Sequence, residues 1–240
     1  MQTRPRHAVL SRLTPWLAAP LAGVMLMAGC SSSETDSAPL PDAATLLEQS
    51  TQATSGQTSV HLKISVAGEI KELPIESMEG DLTSVPAVAA QGTANIIFLG
   101  QKLEGVSFVV ANGTLFASIT AGGGLQDFGP AADVYDVSAI LNPSTGLANV
   151  LKSFSDAKSD GRETINGVET VRVTGNIKPD AVNQIAPQIG ATAPVPGTAW
   201  IREDGNHDLV QAKMEPSPGN SVTMTMSDWG KPVSVTKPAV

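Results

Sequence analysis

The 240-residue sequence contains one cysteine, Cys30. Because there is no second thiol, an intramolecular disulfide and a metal site made of several thiolates are both excluded. Aromatic residues are also few, with five Phe, three Trp and one Tyr, and there are three histidines. Aliphatic side chains therefore have to form the core, and the residues from Cys30 onward are numerous enough to build one without covalent staples.

The sequence also lacks an N-terminal apolar run long enough to span a bilayer. The stretch from Leu13 to Ala28 has about 16 residues and contains two prolines, whereas a membrane-spanning helix needs about 20 residues. Three arginines and no acidic residue precede the stretch, and small residues follow it. This order is typical of an export signal and predicts that residues 1–29 are a signal peptide.

Cys30 ends the motif LMAGC, which resembles the bacterial lipobox, in which the cysteine becomes the first residue and is acylated. Met27 stands where the lipobox usually has Leu, and its side chain is similarly apolar. The alternative is a buried or incidental thiol, although exported proteins tend to pair or lose free thiols. Acylation at Cys30 would anchor the protein to a membrane. We expect residues 30–42 to be the acylated cysteine and a flexible tether, and residues 43–240 to form a single lipid-binding domain.

Basic residues are scarce in the part of the chain that follows the predicted signal peptide. The whole chain has 15 Lys and Arg against 23 Asp and Glu, and three of the arginines lie within residues 1–29. The remaining chain therefore carries a net charge of −11. Such a surface repels phosphate backbones, which excludes nucleic acid as a ligand. It also means that attraction to anionic lipid headgroups cannot hold the protein on a membrane.

Strands dominate the predicted domain. Apolar and polar residues alternate in several segments, which is typical of half-buried strands. Asn112-Gly113, Asn166-Gly167 and Asp204-Gly205-Asn206 lie between such segments and predict hairpin turns. The apolar positions, which we expect to share the inner face of the sheet, are Leu62, Ile64, Val66, Ala94, Ile96, Phe98, Phe108, Val110, Val222, Met224 and Met226.

Helices are predicted between the strands. Asp42 can cap a helix that ends near Gly56. Two short helices are expected over residues 135–158, where Asn142 and Pro143 are suited to starting a helix whose apolar positions are Leu147, Val150, Leu151 and Phe154. Pro179 starts another short helix. The fold class is therefore α+β, with a large antiparallel sheet and helices on one face.

Motifs of common enzyme classes are absent from the sequence. There is no G-x-S-x-G elbow, no histidine-bearing metal motif and no phosphate-binding loop. An exported esterase would have to use His61 or His207, which are more simply explained as solvated residues of a strand and a turn. We predict that the protein is not an enzyme and uses no cofactor or metal.

The inner sheet positions listed above could line a cavity or pack into an ordinary core. Val, Ile, Ala and Met are side chains that can form a smooth wall around acyl chains, and methionine adapts to variable chain shapes. Composition does not separate the two possibilities. The cavity hypothesis assigns all eleven positions to the wall of a lipid-binding site.

Three long segments, residues 126–175, 195–214 and 221–238, resemble the mycobacterial LppX/LprA/LprF/LprG lipoprotein family, and most resemble its LprG branch. The resemblance extends from the lipobox nearly to the C-terminus. It implies a curved half-barrel sheet, similar to LolA and LolB, with helices on the concave face enclosing an apolar cavity.

The resemblance also implies a function and a location. Members bind triacylated lipids and glycolipids, including triacylglycerides, phosphatidylinositol mannosides and lipoarabinomannan-type lipids, and transfer them through the envelope. A major facilitator exporter and host Toll-like receptors are implied as partners. The expected location is the outer face of the cytoplasmic membrane, with partial release to the cell wall or outside. The alternatives are an envelope scaffold or surface ligand with a filled core, and an exported esterase.

Overall fold

A computed structural model describes residues 38–70, 73–120 and 123–240. Within it, Pro39–Val240 form one compact unit. The helices are α1 (Ala43–Ser55), α2 (Ser138–Leu141), α3 (Leu147–Lys152) and α4 (Pro179–Ile185). The strands are β1 (Ser59–Ala67), β2 (Ile75–Thr83), β3 (Ala89–Phe98), β4 (Gln101–Ala111), β5 (Thr114–Ser118), β6 (Gln126–Pro130), β7 (Phe154–Ile165), β8 (Val168–Ile177), β9 (Val195–Arg202), β10 (Leu209–Ser217) and β11 (Asn220–Ser227).

All eleven strands belong to one open antiparallel sheet. Their order is β6-β5-β4-β3-β2-β1-β11-β10-β9-β8-β7. The sheet is thus two meanders, β1 to β6 and β7 to β11, joined where β1 pairs with β11, with Ile64 opposite Met224. The predicted fold class, α+β with a large antiparallel sheet, is confirmed.

The predicted hairpin turns are confirmed. Asn112 and Gly113 connect β4 to β5, and Asn166 and Gly167 connect β7 to β8. All four residues have positive φ values, between 50° and 81°. Asparagine and glycine tolerate this left-handed conformation, and its twist matches that of the flanking strands, which is why the Asn-Gly pair is so indicative of a hairpin.

Helix α1 begins where the sequence predicts. The Asp42 side chain accepts a hydrogen bond from the backbone N–H of Thr45 at 2.9 Å, which satisfies one of the free donors of the first turn. Just before the cap, the Pro41 carbonyl accepts a bond from the Ser159 hydroxyl, and the Pro39 carbonyl accepts one from Arg162. The chain therefore reaches the domain alongside β7. Residues 1–29 and Cys30 lie outside the described residues.

Two short helices occur in the middle of the chain, but the predicted start of the second is wrong. Asn142 and Pro143 follow the end of α2, and the Asn142 side chain accepts bonds from the backbone of Ser144 and Thr145. This local bond holds a turn rather than a helix. Helix α3 begins after Gly146, and Phe154 is the first residue of β7 instead of the last apolar position of the helix. The start of α4 at Pro179 is confirmed.

The helices fill only part of the sheet face that they cover. Helix α1 contacts α3, β7 and β9, and α3 contacts α4. Leu46 of α1 and Leu151 of α3 are each 1% exposed, and they belong to the same core as Val173 and Ile201 of the sheet. The face formed by β7 to β9 is therefore packed. Part of the face from β1 to β5 is packed in the same core, with Leu62 and Leu82, and the remainder lines the cavity described below.

Candidate functional site

An apolar cavity of about 360 Å³ lies on the inner face of the sheet. Strands β1 to β5 form most of its wall, and β10 and β11 complete it. Two segments cover it, namely residues 131–140, which include most of α2, and the end of α4 with the turn that follows. In the part of the chain that the structure describes, every residue lining it has an apolar side chain except Tyr135 and Gln188. The volume is within the range of about 300–1,000 Å³ that small-molecule sites occupy.

Eight of the eleven positions proposed from the sequence line this cavity. They are Ile64, Ala94, Ile96, Phe98, Phe108, Val110, Val222 and Met224. Leu62, Val66 and Met226 do not line it. Leu62 and Met226 are opposite each other across β1 and β11, are 1% and 3% exposed, and belong to the packed core. Val66 is half-buried against the same core. Alternation places all three on the inner face, but the sequence does not show where packing ends and the cavity begins.

Irregular pairing lets the end of β3 contribute consecutive residues to the cavity. The β2–β3 register shifts between Ile75 and Ser77, and the β3–β4 register shifts between Ala94 and Ile96. Such bulges increase the local twist and re-aim side chains. As a result Ile96, Ile97 and Phe98 all line the cavity, whereas regular alternation would turn one of them away.

The cavity is open to solvent at a few of its lining residues. Ile97 is 41% exposed, Phe98 is 42% exposed and Val134 is 61% exposed, although all three line the cavity. The next residue after Phe98, Leu99, is 88% exposed at the turn between β3 and β4. We call Ile97, Phe98 and Leu99 the β3–β4 tip. An apolar surface therefore continues from inside the cavity to the outside of the protein.

The sequence from residue 42 to residue 235 matches the model of the LppX_LprAFG lipoproteins. This match covers most of the chain and the whole of the cavity. The chain belongs to the LppX/LprAFG lipoprotein family.

Relatives in the LppX/LprAFG family match the chain along its full length. A protein named lipoarabinomannan carrier protein LprG from Mycolicibacterium smegmatis is 61% identical over 240 residues, which is all of both chains. The protein of the same name from Mycobacterium leprae is 48% identical and covers 98% of each chain.

Solved structures from the same family share the fold. LprF from Mycobacterium bovis aligns with a TM-score of 0.76 at 31% identity, over 84% of this chain and 99% of LprF. LppX from Mycobacterium tuberculosis aligns with a TM-score of 0.62 at 29% identity, over 82% of this chain and all of LppX. The fold of this chain is therefore shared with two solved members of the LppX/LprAFG family.

Sequence reasoning missed the cover of the cavity and one of its walls. Met78 of β2 and Met214 of β10 line the cavity, as do Val134, Ile140 and Ile185 from the covering segments. Met78 lies next to Glu79 and two residues after Glu76, so this segment lacks the apolar alternation that marks a half-buried strand. The covering segments have no local pattern that points to β1–β5, because their contacts with those strands join distant parts of the sequence.

The two polar residues of the cavity differ in their bonding. The Tyr135 hydroxyl donates to the carbonyl oxygen of Ile185 at 2.8 Å, and burial raises the pKa of Tyr135 far above its ordinary value. The Gln188 side-chain oxygen Oε1 is buried and has no hydrogen-bond partner in the described part of the chain. Tyr135 therefore has a structural bond, whereas the buried Gln188 Oε1 has none to the described residues.

The two histidines considered as catalytic candidates lie elsewhere. His61 is on the outer face of β1, where its Nδ1 is 2.7 Å from Asp81 Oδ1 and its Nε2 is 3.5 Å from Glu79 Oε1. His207 contacts the backbone carbonyl of Arg202 at 3.1 Å. Neither residue lines the cavity. Over residues 38–70, 73–120 and 123–240 there is no group of three or more side chains suited to binding a metal ion.

None of the helices in the described ranges combines the length and the hydropathy that a bilayer-crossing helix requires. The longest of them, α1, has 13 residues and faces the core with Leu46 and Leu47.

Proposed function

We propose that this member of the LppX/LprAFG family is a non-enzymatic carrier of lipids and glycolipids in the cell envelope. The observation that carries the proposal is the cavity, which is lined almost completely by apolar side chains and is open at the β3–β4 tip. The LprG relatives, named lipoarabinomannan carriers, support the same role. The acyl chains of the lipid occupy the cavity while its headgroup stays at the opening.

The proposed mechanism is physical. When an acyl chain leaves a bilayer through water, each CH₂ group that becomes exposed costs about 0.8 kcal/mol of free energy. A carrier lowers this barrier by offering a second apolar environment that is continuous with the first. The exposed Leu99, next to the cavity residues Ile97 and Phe98, gives such a continuous path.

The finer parts of the proposal follow from the family resemblance and from the N-terminal sequence. We infer that cargo includes triacylglycerides, phosphatidylinositol mannosides and lipoarabinomannan-type lipids, that a major facilitator exporter cooperates in transport, and that host Toll-like receptors recognise the protein. Residues 1–29 act as a signal peptide, and acylated Cys30 with the following tether anchors the domain on the outer face of the cytoplasmic membrane, with partial release to the cell wall or outside.

The test is mass spectrometry of the noncovalent lipids that co-purify with the full chain from a mycobacterial host. Ala94→Trp places a large side chain in the cavity, because Ala94 lines it between Met78 and Val106 on the neighbouring strands. Thr93→Trp is the matched control, since Thr93 is an exposed neighbour on the same strand and does not line the cavity.

We expect triacylated lipids with the parent and with Thr93→Trp, and a loss of most of them with a folded Ala94→Trp variant. A parent chain without lipid would refute the carrier function and would favour a scaffold or surface ligand. Hydrolysis of the bound lipid that requires His61 or His207 would instead indicate an esterase.

A further inference from the structure

The turn between β3 and β4 has the same backbone as the two Asn-Gly hairpin turns of the sheet but a different first residue. Leu99 and Gly100 form this two-residue turn, and their φ values are 51° and 77°. The corresponding values are 53° and 77° at Asn112-Gly113, and 50° and 81° at Asn166-Gly167. A leucine therefore occupies a position at which the same chain twice uses asparagine.

Leucine is poorly suited to this backbone conformation. At positive φ the Cβ atom of an L-residue crowds the backbone, and apart from glycine it is chiefly Asn, Asp and His that tolerate the conformation. Among the residues that the structure describes, every other non-glycine residue with positive φ is an Asn, an Asp or a His. Leu99 is the exception. Strained residues of this kind are concentrated at functional sites, so the backbone of Leu99 points to a function for its side chain.

Packing inside the protein does not explain the leucine either. Leu99 is 88% exposed, which is the highest value among the large apolar side chains of the described residues. An exposed leucine gains no burial energy, and at this position it also has an unfavourable backbone. An asparagine would be better for folding. The contact that favours a leucine therefore has to be made with something outside the protein.

The surface around Leu99 is apolar and leads into the cavity. Ile97 and Phe98 are both exposed at the tip and line the cavity. The exposed Pro74 also lines it, and its carbonyl oxygen accepts a hydrogen bond from the Ile97 backbone N–H at 2.9 Å. The described cavity lining contains no Asp, Glu, Lys or Arg. Whatever binds the β3–β4 tip thus meets the mouth of the cavity without a charged barrier between them.

A charged pair lies at the base of the tip. Lys102 of β4 is paired with Ile97 of β3, and its Nζ forms an ion pair with Glu76 Oε1 of β2. The Lys102 side chain is 68% exposed. Charged groups stay in water or among lipid headgroups while neighbouring apolar side chains enter hydrocarbon. The pair therefore separates an apolar end, residues 97–100, from the polar strands behind it.

A lipid bilayer suits the tip better than a protein partner. A stable protein interface buries about 800 Å² on each partner, and three side chains at one hairpin turn do not supply this area. Charge does not supply the attraction either, because the chain has 23 Asp and Glu against 15 Lys and Arg and is repelled by anionic surfaces. Apolar insertion requires neither a large area nor a favourable charge.

We propose that the β3–β4 tip is a membrane-docking element whose residues Ile97, Phe98 and Leu99 enter the apolar edge of a bilayer. The inference rests on the proposed carrier function and adds the way in which the carrier reaches its cargo. Docking places the mouth of the cavity against the lipid surface. The Lys102–Glu76 pair keeps the insertion shallow, so that the carrier can leave the membrane again.

The test is hydrogen exchange of backbone amides, measured by mass spectrometry on the full-length protein with and without phosphatidylcholine vesicles. Leu99→Asn introduces the residue that the other two turns use. Asn166→Leu is the matched control, because it places a leucine on the same backbone in a turn that does not line the cavity. A chain with both substitutions has the composition and the charge of the parent. Any N-terminal anchor is identical in all four proteins.

We expect vesicles to slow exchange at residues 99–102 of the parent and of Asn166→Leu. This protection should fall by about tenfold in Leu99→Asn and in the double variant, since burying one leucine in an apolar phase corresponds to a factor of about 10–100. The urea midpoint should rise for Leu99→Asn and fall for Asn166→Leu, because asparagine tolerates positive φ better. A purely structural role of Leu99 predicts the opposite, namely a lower midpoint and unchanged protection.

Three results would overturn the inference. The first is equal protection in the parent and in Leu99→Asn. The second is protection that requires phosphatidylglycerol in the vesicles and disappears in salt, because charge would then hold the protein. The third is protection that appears without vesicles as the protein concentration rises, because a second copy of the chain would then cover the tip.

The carrier function is decided by a separate measurement, the lipid that co-purifies with the parent. A parent that holds lipid but has an unprotected tip is a carrier without this docking element, and the inference fails alone. A parent whose tip is protected through Leu99 but that holds no lipid supports the docking element, and the carrier function fails alone.

Discussion

The Tyr135 hydroxyl donates a hydrogen bond to the backbone carbonyl oxygen of Ile185 at 2.8 Å. Tyr135 belongs to the segment between β6 and α2, and Ile185 is the last residue of α4. Both segments cover the apolar cavity. Because burial raises the pKa of Tyr135 far above its ordinary value, the hydroxyl keeps its proton and donates at any physiological pH. The two parts of the cover are thus tied together.

Tyr135→Phe should loosen this cover. The variant keeps the ring but loses the bond and leaves the Ile185 carbonyl without its partner. We expect the free energy of unfolding to fall by about 1 kcal/mol, and a bound fluorescent fatty acid to exchange faster. Urea denaturation measures the first effect and stopped-flow displacement measures the second. Equal exchange rates for the parent and the variant would show that the cover does not control access.

Leu99→Asp should slow the uptake of lipid from a membrane. Leu99 is 88% exposed beside two cavity residues, and burying a leucine in an apolar phase is worth about 1.5–3 kcal/mol. If Leu99 inserts into the membrane during uptake, the aspartate variant loses this burial energy. The rate of lipid transfer from vesicles should then decrease about tenfold or more. Affinity for a monomeric lipid in solution should stay unchanged, because Leu99 does not line the cavity.

The control for this experiment is Val85→Asp. Val85 is 56% exposed between β2 and β3 and lies outside the cavity lining. If both aspartate variants slow transfer equally, added negative charge rather than the β3–β4 tip is responsible.

Two leucine-to-alanine substitutions should separate the packed part of the sheet face from the hollow part. Leu151 is 1% exposed in the core, so Leu151→Ala should lower the free energy of unfolding by about 2–5 kcal/mol. Leu115 is half-buried and already faces the cavity, so its truncation adds to an existing space and should cost roughly half as much or less. Chemical denaturation of the lipid-free proteins measures both values. Equal losses would mean that the cavity is filled in solution.

The pH dependence of stability should include a contribution from His61. Its hydrogen bond with Asp81, assisted by Glu79, raises the pKa of His61 above 6.5. Lys63 binds the same Glu79, and Asp228 adds a further nearby carboxylate. Because the folded protein binds the proton more tightly than the unfolded chain, this stabilisation is complete below pH about 6.5 and disappears as the pH rises through the raised pKa.

His61→Gln should therefore lower the melting temperature more at pH 5.5 than at pH 9. His207→Gln is the matched control, since His207 contacts a backbone carbonyl instead of a carboxylate pair. If the melting temperatures of the parent and of His61→Gln differ by the same amount at both pH values, the carboxylate contacts do not raise the pKa of His61.

Local sequence patterns were sufficient for much of the sheet. Asn112-Gly113 and Asn166-Gly167 fixed two hairpins, because few other pairs adopt positive φ at both positions. Alternation identified the inner face of β1 and β11. Strand β2 was not predicted, since a shift of register near Ile75 interrupts its alternation and acidic residues surround Met78. At Asn142 a proline after a possible cap suggested a helix, but the side chain instead held a turn.

The cavity wall was predictable in part, and its boundary was not. Ala94 and Met224 alternate with polar neighbours in the same way as Leu62 and Met226, yet the first two line the cavity and the other two do not. The difference depends on how far the helices extend over the sheet, which no strand sequence specifies. Gln188 was missed for a similar reason, because a single amide after a short helix has no pattern that marks it as facing an apolar space.

The division of the sheet face between a packed part and a hollow part has an evolutionary consequence. Residues such as Leu46 and Leu151 that stabilise the fold are separate from those, such as Ala94 and Ile96, that line the cavity. Substitutions in the wall and cover can therefore accumulate without unfolding the domain. One architecture can in this way diversify into carriers of different lipids while its helical side stays unchanged.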